Sequence, residues 1–211
     1  ALARATVVPA ASYGAEVVGY SDTALRKLRI SALATVGTTT KGGQMDSEWA
    51  ARDGSADKLD PAFEAHAAPI GTLAEAWWCE WRSHDSLKSA HEAAWKDLHR
   101  RARSPCSPWS FAAGPNAAAI LSAGRLGWVF EAADVLVTDK GERLELGMDS
   151  PAEIRKAVER AVRRWRWANV LQHYTATHDL IGSPAVDPPP QTLPQMADSW
   201  RRAAAAANLY S

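Results

Sequence analysis

A run of basic residues in the last third of the sequence is the feature best suited to binding a charged partner. Residues 151 to 166 contain six bases and two acids, a net charge of +4. In a helix, guanidinium groups on neighbouring turns can bind phosphates, and an adjacent indole can stack on a base. We therefore predict nucleic-acid binding by Arg155, Arg160, Arg163, Arg164 and Trp167. The alternative is a solvated helix face opposite a core stripe.

Metal and acid–base chemistry have weaker candidates. His84 and His91 are seven residues apart, which places them on one helical face. Together with Cys79 and His99 they match no closed zinc pattern, and a cysteine inside Trp-Trp-Cys-Glu-Trp is better explained as a small core residue. His173 and His178 have no nucleophile motif beside them, and no glycine-rich phosphate loop occurs. We therefore predict no catalytic residue, no metal and no cofactor.

Composition excludes several classes of protein. The chain has 211 residues and 22.8 kDa, with 24 basic and 24 acidic side chains, which rules out a uniformly basic coat. Its 46% hydrophobic share and ten tryptophans rule out disorder throughout. Charge is nevertheless segregated, because residues 44 to 66 contain six acids and two bases, a net charge of −4.

Cysteine usage and hydropathy bear on the cellular compartment of the chain and on its association with membranes. Cys79 and Cys106 form no CxxC pair, which favours a reducing intracellular compartment, the nucleus or the cytoplasm. The longest uncharged run, residues 104 to 124, contains three prolines, so we predict no membrane partner. The sequence begins at Ala1 without a signal peptide, and we expect a fragment of a longer protein.

The N-terminal part predicts one clear helix. Ser21 or Asp22 can cap it, apolar residues follow at helical spacing from Leu25, and Gly37 can end it. In this helix Arg26, Lys27 and Arg29 lie off the apolar stripe. Residues 37 to 60 resemble a loop with one turn near residues 47 to 52.

Four further helices are predicted before the first strand. Asp60-Pro61 and Pro69 each provide a helix start, so two separate helices are expected there. Another helix runs from Ser86 towards Pro105, and a short one lies between Pro115 and Gly124. Helical spacing and the cost of exposing large rings predict burial of four tryptophans: Trp77, Trp81, Trp95 and Trp128.

The C-terminal part predicts a hairpin followed by the basic helix. Two β-rich stretches within residues 127 to 146 flank Asp139-Lys140-Gly141-Glu142, a suitable tight turn. Ser150-Pro151-Ala152-Glu153 is a capping box that starts a helix over residues 151 to 168. Five prolines then mark a stiff linker at 184 to 195, and residues 196 to 211 restart a helix.

These elements predict an α+β fold that is mainly α-helical with one small β-hairpin. Residues 1 to 44 form an N-terminal helical piece, and residues 45 to 183 form a body anchored by tryptophans. The linker and the start of a further helix complete the chain.

Short landmarks resemble one family. Residues 9 to 17, Pro-Ala-Ala-Ser-Tyr-Gly-Ala-Glu-Val, resemble the stretch that follows the palm in LINE-like, non-LTR retrotransposon reverse transcriptases. The helix from Leu25 to Val36 fits the leucine- and arginine-rich helix that comes next there. Further landmarks are Asp60-Pro61, Ala68-Pro69-Ile70, Gly114-Pro115, Leu126-Gly127-Trp128, Asp139-Lys140-Gly141 and Ser150-Pro151. The sequence departs from the family at Ser12 and Val18, where a leucine and a tryptophan are more frequent.

The resemblance implies a thumb and connection segment between the polymerase palm and ribonuclease H. Such a segment holds template and primer, so the implied partners are RNA or DNA, bound weakly and without sequence preference, and the flanking domains of the same polyprotein. It would carry no catalysis, because polymerase chemistry needs paired aspartates for two metal ions and the sequence contains no Asp-Asp pair. The alternative from another class is a helical protein-interaction module without a nucleic-acid role. A metal-dependent hydrolase that uses His84 and His91 is a third alternative.

Overall fold

The computed structural model describes residues 14–35, 44–51, 59–102, 104 and 106–177. Within these ranges lie seven α-helices, a 3-10 helix at Pro108–Phe111 and three short strands. The helices are α1 Ala15–Val18, α2 Asp22–Thr35, α3 Met45–Ala50, α4 Pro61–Trp78, α5 His84–Arg101, α6 Pro115–Arg125 and α7 Pro151–Thr177. The strands are β1 Val129–Ala132, β2 Val135–Val137 and β3 Arg143–Glu145. The predicted α+β class with mainly helical content is confirmed.

Helix α4 lies at the centre of the core and packs against α6 and α7. Its start is as predicted, since Asp60 accepts a hydrogen bond from the Ala62 backbone N–H at 2.9 Å and Pro61 occupies the first helical position. The predicted second start at Pro69 is wrong, because one continuous helix runs through it. Proline has a helical φ, and its neighbours Ala65 and Ile70 are buried, so packing outweighs the missing backbone donor.

The end of α4 explains why one tryptophan prediction fails. The helix stops at Trp78, and Glu80 then takes a positive φ of 47°, so Trp81 no longer follows helical spacing. Trp81 is 56% exposed, and the prediction that it is buried is wrong. Trp77 and Trp128 are buried as predicted, while Trp95 is half-buried against the core.

Helix α2 also begins as predicted, with the Ser21 Oγ accepting from the Ala24 backbone N–H at 3.2 Å. Residues 37 to 60, predicted as a loop with one turn, contain the short helix α3. The Gln44 side chain caps this helix by accepting from the Ser47 backbone N–H at 2.7 Å. Trp49 anchors it, buried against Ala32 and Leu33 of α2.

Four buried charged residues, which we term the ionic cluster, join helices distant in the sequence: Arg29, Asp46, Asp60 and Arg166. Asp60 accepts two hydrogen bonds from Arg29, at 2.9 and 3.0 Å, and one from Arg166 at 3.2 Å. Asp46 accepts another from Arg29 at 2.6 Å. The prediction that Arg29 lies off the buried stripe is therefore wrong, because these carboxylates compensate its charge inside the protein.

The strands form one antiparallel sheet in the order β1-β2-β3. The turn predicted at residues 139 to 142 joins β2 to β3, and Gly141 has the positive φ, 77°, that a tight turn favours. The first β-rich stretch was predicted as a single strand of one hairpin. It instead folds back at residues 133 and 134, so the sheet has three strands rather than two.

Helix α7 begins at the predicted capping box. The Glu153 backbone N–H donates to the Ser150 Oγ at 3.3 Å, and the Ser150 backbone N–H donates to the Glu153 carboxylate at 3.1 Å. The helix extends to Thr177, beyond the predicted end at residue 168. Ile154, Val158 and Val162 are buried, as the predicted core stripe requires.

Residues 14 to 35 contact the rest of the molecule directly, because α1 packs on α4 and α6 and α2 packs on α4. The predicted linker at 184 to 195 and the helix at 196 to 211 lie outside the described residues, as do the first thirteen residues. None of the helices in the described part combines the length and the apolar character needed to cross a bilayer.

Candidate nucleic-acid interface

Helix α7 presents the predicted arginines, but acids on neighbouring elements contact three of them. The Arg155 Nη2 lies 2.7 Å from the Glu64 Oε2 of α4. The Arg164 Nε donates to the Asp139 Oδ2 at 2.6 Å, and a second guanidinium nitrogen donates to the other carboxylate oxygen. The Arg160 Nη2 lies 3.6 Å from the Glu142 Oε2. A phosphate must therefore compete with a carboxylate at each of these positions.

Trp167 does not fit the role predicted for it. Its side chain is 6% exposed and packs with Ala50 and Val170 in a small apolar cluster. The prediction that Trp167 stacks on a base is wrong for this conformation, because its ring faces are covered by protein. Helical periodicity explains the error, since residue 167 lies near the α7 stripe that faces α3.

Three cations converge at a cavity of about 490 Å³ between α6, the β2–β3 turn and α7. Arg125, Lys140 and Arg164 line it together with the carboxylate of Asp139, so the lining residues include three cationic side chains and one anionic side chain. Half-buried Trp165 forms part of the same lining. We term this cavity the cationic cavity, and it combines the two side-chain types that single-stranded nucleic acid requires.

Arg125 is held rigidly at the cationic cavity. Its Nη2 donates to the Tyr20 carbonyl oxygen at 2.6 Å and lies 2.7 Å from the Asp22 Oδ1. Its guanidinium carbon lies 4.3 Å from the centre of the Trp109 ring. Its Nη1 is buried without a hydrogen-bond partner in the part of the chain that the structure describes. Burial lowers the pKa of Arg125, and the carboxylate of Asp22 opposes that shift.

Asp139 holds Arg164 in place on the side of the cationic cavity opposite Arg125. It accepts hydrogen bonds from the Trp128 Nε1 at 3.0 Å and from Arg164. Burial acts to raise the pKa of Asp139, but hydrogen bonds from Arg164 and Trp128 outweigh it and hold the pKa below its ordinary value. The carboxylate therefore stays ionised and orients Arg164. Sequence reasoning missed Arg125 and Lys140 because they lie outside the basic run, and nothing in the local sequence brings them together.

The histidine and cysteine candidates do not assemble into a site. Cys79 is exposed just after the end of α4, so its interpretation as a core residue is wrong. His91 is buried with its ring centre 4.5 Å from that of Phe130, and burial lowers its pKa. His84 is exposed, with its ring centre 5.3 Å from that of Trp77. Among the described residues no group of three or more His, Cys, Asp or Glu side chains could hold a metal ion. His178 lies outside the described residues.

The landmarks that resemble reverse transcriptases mark local structure here. Asp60-Pro61, Gly114-Pro115 and Ser150-Pro151 each begin a helix, and Gly141 lies in the β2–β3 turn. Proline at the first helical position and glycine at positive φ account for these residue types in any family. Comparison of the chain with protein-family models, curated proteins and solved structures gives no match.

Proposed function

We propose that the chain is a non-catalytic segment that holds nucleic acid, in the manner of the thumb and connection region of a retrotransposon reverse transcriptase. The observation that carries this proposal is the cationic cavity, where three cations from three elements meet beside Trp165. Phosphates would bind Lys140 and Arg164, while the guanidinium of Arg125, which already contacts Tyr20 and Asp22, would act on them at longer range. A base would pack against Trp165, the aromatic residue that replaces Trp167 in this role.

The exposed side of α7 extends the same surface. Lys156, Arg160 and Arg164 are spaced four residues apart, so they form a row with about 6 Å of rise between successive side chains. Such a row contacts the sugar–phosphate backbone and reads no base edges. Binding would therefore be weak and indifferent to sequence. Polymerase and ribonuclease chemistry would belong to flanking domains of the same polyprotein.

Salt-dependent binding of short single strands tests the proposal. The fluorescence anisotropy of a labelled RNA or DNA strand of mixed sequence is measured against protein concentration at two salt concentrations. The triple variant Lys140→Gln, Lys156→Gln, Arg160→Gln should bind more weakly and flatten the slope of log affinity against log salt by about 2, because each lost phosphate contact removes about 0.7. Arg125 and Arg164 stay unchanged, since Asp22 and Asp139 hold them in place.

A matched control separates the local site from net charge. The variant Arg26→Gln, Lys27→Gln, Lys88→Gln removes three exposed cations from α2 and α5 and should bind like the wild type. Equal binding by wild type and the first variant, or equal loss in both variants, would contradict a role for this surface. A wild-type chain that binds no strand at low salt would overturn the nucleic-acid function itself.

Two exposed tryptophans favour a second candidate, a protein-interaction module. Trp78, the last residue of α4, is 46% exposed and Trp81 just beyond it is 56% exposed, and large exposed rings are typical of protein contacts. In this case the double variant Trp78→Ser, Trp81→Ser should abolish association with a partner helix and leave strand binding unchanged. Sedimentation of the wild type at increasing concentration shows whether the partner is a second copy.

A further inference from the structure

A second cavity, of about 350 Å³, lies between α5, the 3-10 helix, α6 and β1. We term it the aromatic pocket, since four of its lining residues are Trp95, Phe111, Trp128 and Phe130. Most other lining residues are aliphatic. It shares no lining residue with the cationic cavity, so a ligand here would be independent of the proposed nucleic-acid function.

The size and lining of the aromatic pocket fit a small molecule. Ligand pockets span roughly 300 to 1,000 Å³ and combine apolar walls with few polar groups. This pocket is at the lower end of that range, which suits one or two fused rings. Flat rings match the walls, because aromatic side chains prefer offset or edge-to-face contact with another ring.

The charges around the aromatic pocket favour an anionic ligand over a cationic one. Arg101 places a guanidinium in the lining, and no carboxylate lines the pocket among the described residues. Asp97 contacts both Arg100 and Arg101, so one carboxylate is shared between two guanidinium groups and a net positive charge remains at the rim. An organic cation is disfavoured, because the Arg101 guanidinium already lies over the Phe111 ring, 5.1 Å from its centre.

We propose that the aromatic pocket binds a small aromatic molecule that carries one anionic group, with its rings between Trp95 and Trp128 and its anion at Arg101. The rings gain apolar contact, and the anion accepts a charge-assisted hydrogen bond at the solvent-facing rim.

Calorimetric titration of the full chain with naphthoate and its uncharged isostere naphthamide tests both parts of the proposal. Naphthoate should saturate at one molecule per chain and bind about tenfold more tightly than naphthamide. The variant Arg101→Gln should lose that preference and still bind naphthamide. Equal affinities of the wild type for the two probes would overturn the anion's role, and no binding of either would overturn the pocket.

A pair of glycine variants shows where the probes bind. Gly124 lies on α6 at the pocket, and a Cβ built there meets no atom within 4 Å. Gly124→Leu should therefore fill the pocket and abolish binding, while the higher helix propensity of leucine supports folding. Gly71→Leu, the matched control on α4, also meets no atom within 4 Å of its Cβ and should bind like the wild type.

If circular dichroism shows that Gly124→Leu is unfolded, Ala102→Trp blocks the same pocket from the exposed end of α5. Loss of binding in a folded blocking variant, with binding kept by Gly71→Leu, supports the site. Unchanged binding in a folded blocking variant, or equal loss in Gly71→Leu, overturns it.

Discussion

A single histidine shows how burial sets charge in this core. His66 is fully buried on α4, its Nδ1 donates to the Ala62 carbonyl oxygen at 2.5 Å, and its ring lies 5.4 Å from that of Trp165. Its Nε2 has no hydrogen-bond partner in the described part of the chain. Burial lowers the pKa of His66 to about 3, the positive charges of Arg125 and Arg29 add to the effect, and Asp60 opposes it. The ring is therefore neutral at physiological pH.

Stability should fall as the pH drops below about 6.5. The unfolded chain binds a proton at the ordinary histidine pKa of about 6.5, whereas folded His66 stays neutral until about pH 3. Each pH unit in this window therefore costs at most about 1.4 kcal/mol of unfolding free energy per buried histidine. Urea unfolding of the wild type and His66→Gln at pH 6.5 and pH 5 measures how much unfolding free energy each protein loses between these pH values.

His66→Gln should lose less unfolding free energy than the wild type as the pH falls. We assign the loss that remains in this variant to His91, whose pKa is also lowered by burial. His99→Gln, at an exposed ring, should behave like the wild type. The same pH dependence in wild type and His66→Gln would contradict a neutral buried imidazole.

At the scale of elements, helix starts were the best predicted feature, and helix interiors and ends the least. Asp60-Pro61 and Ser150-Pro151 predict a helix start correctly, because the side-chain cap and the fixed φ of proline depend only on residues within one turn. The predicted helix start at Pro69 was wrong because burial decides whether a helix tolerates a proline. The predicted burial of Trp81 was wrong because the helix ends before it, and the positive φ at that end falls on Glu80 rather than on a glycine, which the sequence would have shown. The cationic cavity was unpredictable for a related reason, since Arg125 and Arg164 meet only through packing.

The cap of α7 gives a prediction at this scale. Ser150→Ala should lower the free energy of unfolding by about 1 kcal/mol, because the Glu153 backbone N–H loses its acceptor at the first turn. Chemical denaturation of the two proteins measures the difference. Ser89→Ala, at an exposed position inside α5, is the matched control and should change stability by no more than a few tenths of that amount. A cost for Ser150→Ala no larger than that of the control would contradict the capping role.

For the whole molecule, the two charged runs seen in the sequence complement each other. The acidic run of residues 44 to 66 supplies Asp60 and Glu64, and the basic run of α7 supplies their partners, Arg166 and Arg155. Folding brings them together, so much of the apparent polarity is internal. Sequence reasoning treated the two runs as separate surfaces because the pairing spans about a hundred residues.

Asp60 is the centre of the ionic cluster, and its removal tests how far the cluster holds the helices together. Asp60→Ala should cost roughly 3 to 5 kcal/mol of unfolding free energy, since Arg29 and Arg166 would stay buried after losing the carboxylate that they share, with Asp46 still beside Arg29. Glu64→Gln, which breaks the more exposed pair with Arg155, should cost less than about 1 kcal/mol. Thermal or urea unfolding compares the two, and similar costs would contradict a structural role for the cluster.

The ionic cluster also constrains how this sequence can diverge. A change at Asp60 removes the carboxylate that contacts two buried guanidinium groups, so we expect compensating changes at Arg29 and Arg166 to accompany it. The four positions should therefore covary as a unit. The spacing of these residues gives a signature by which distant relatives can be recognised. It consists of an arginine, an aspartate 17 residues after it, an Asp-Pro pair 31 residues after it, and a second arginine 106 residues after the aspartate of that pair.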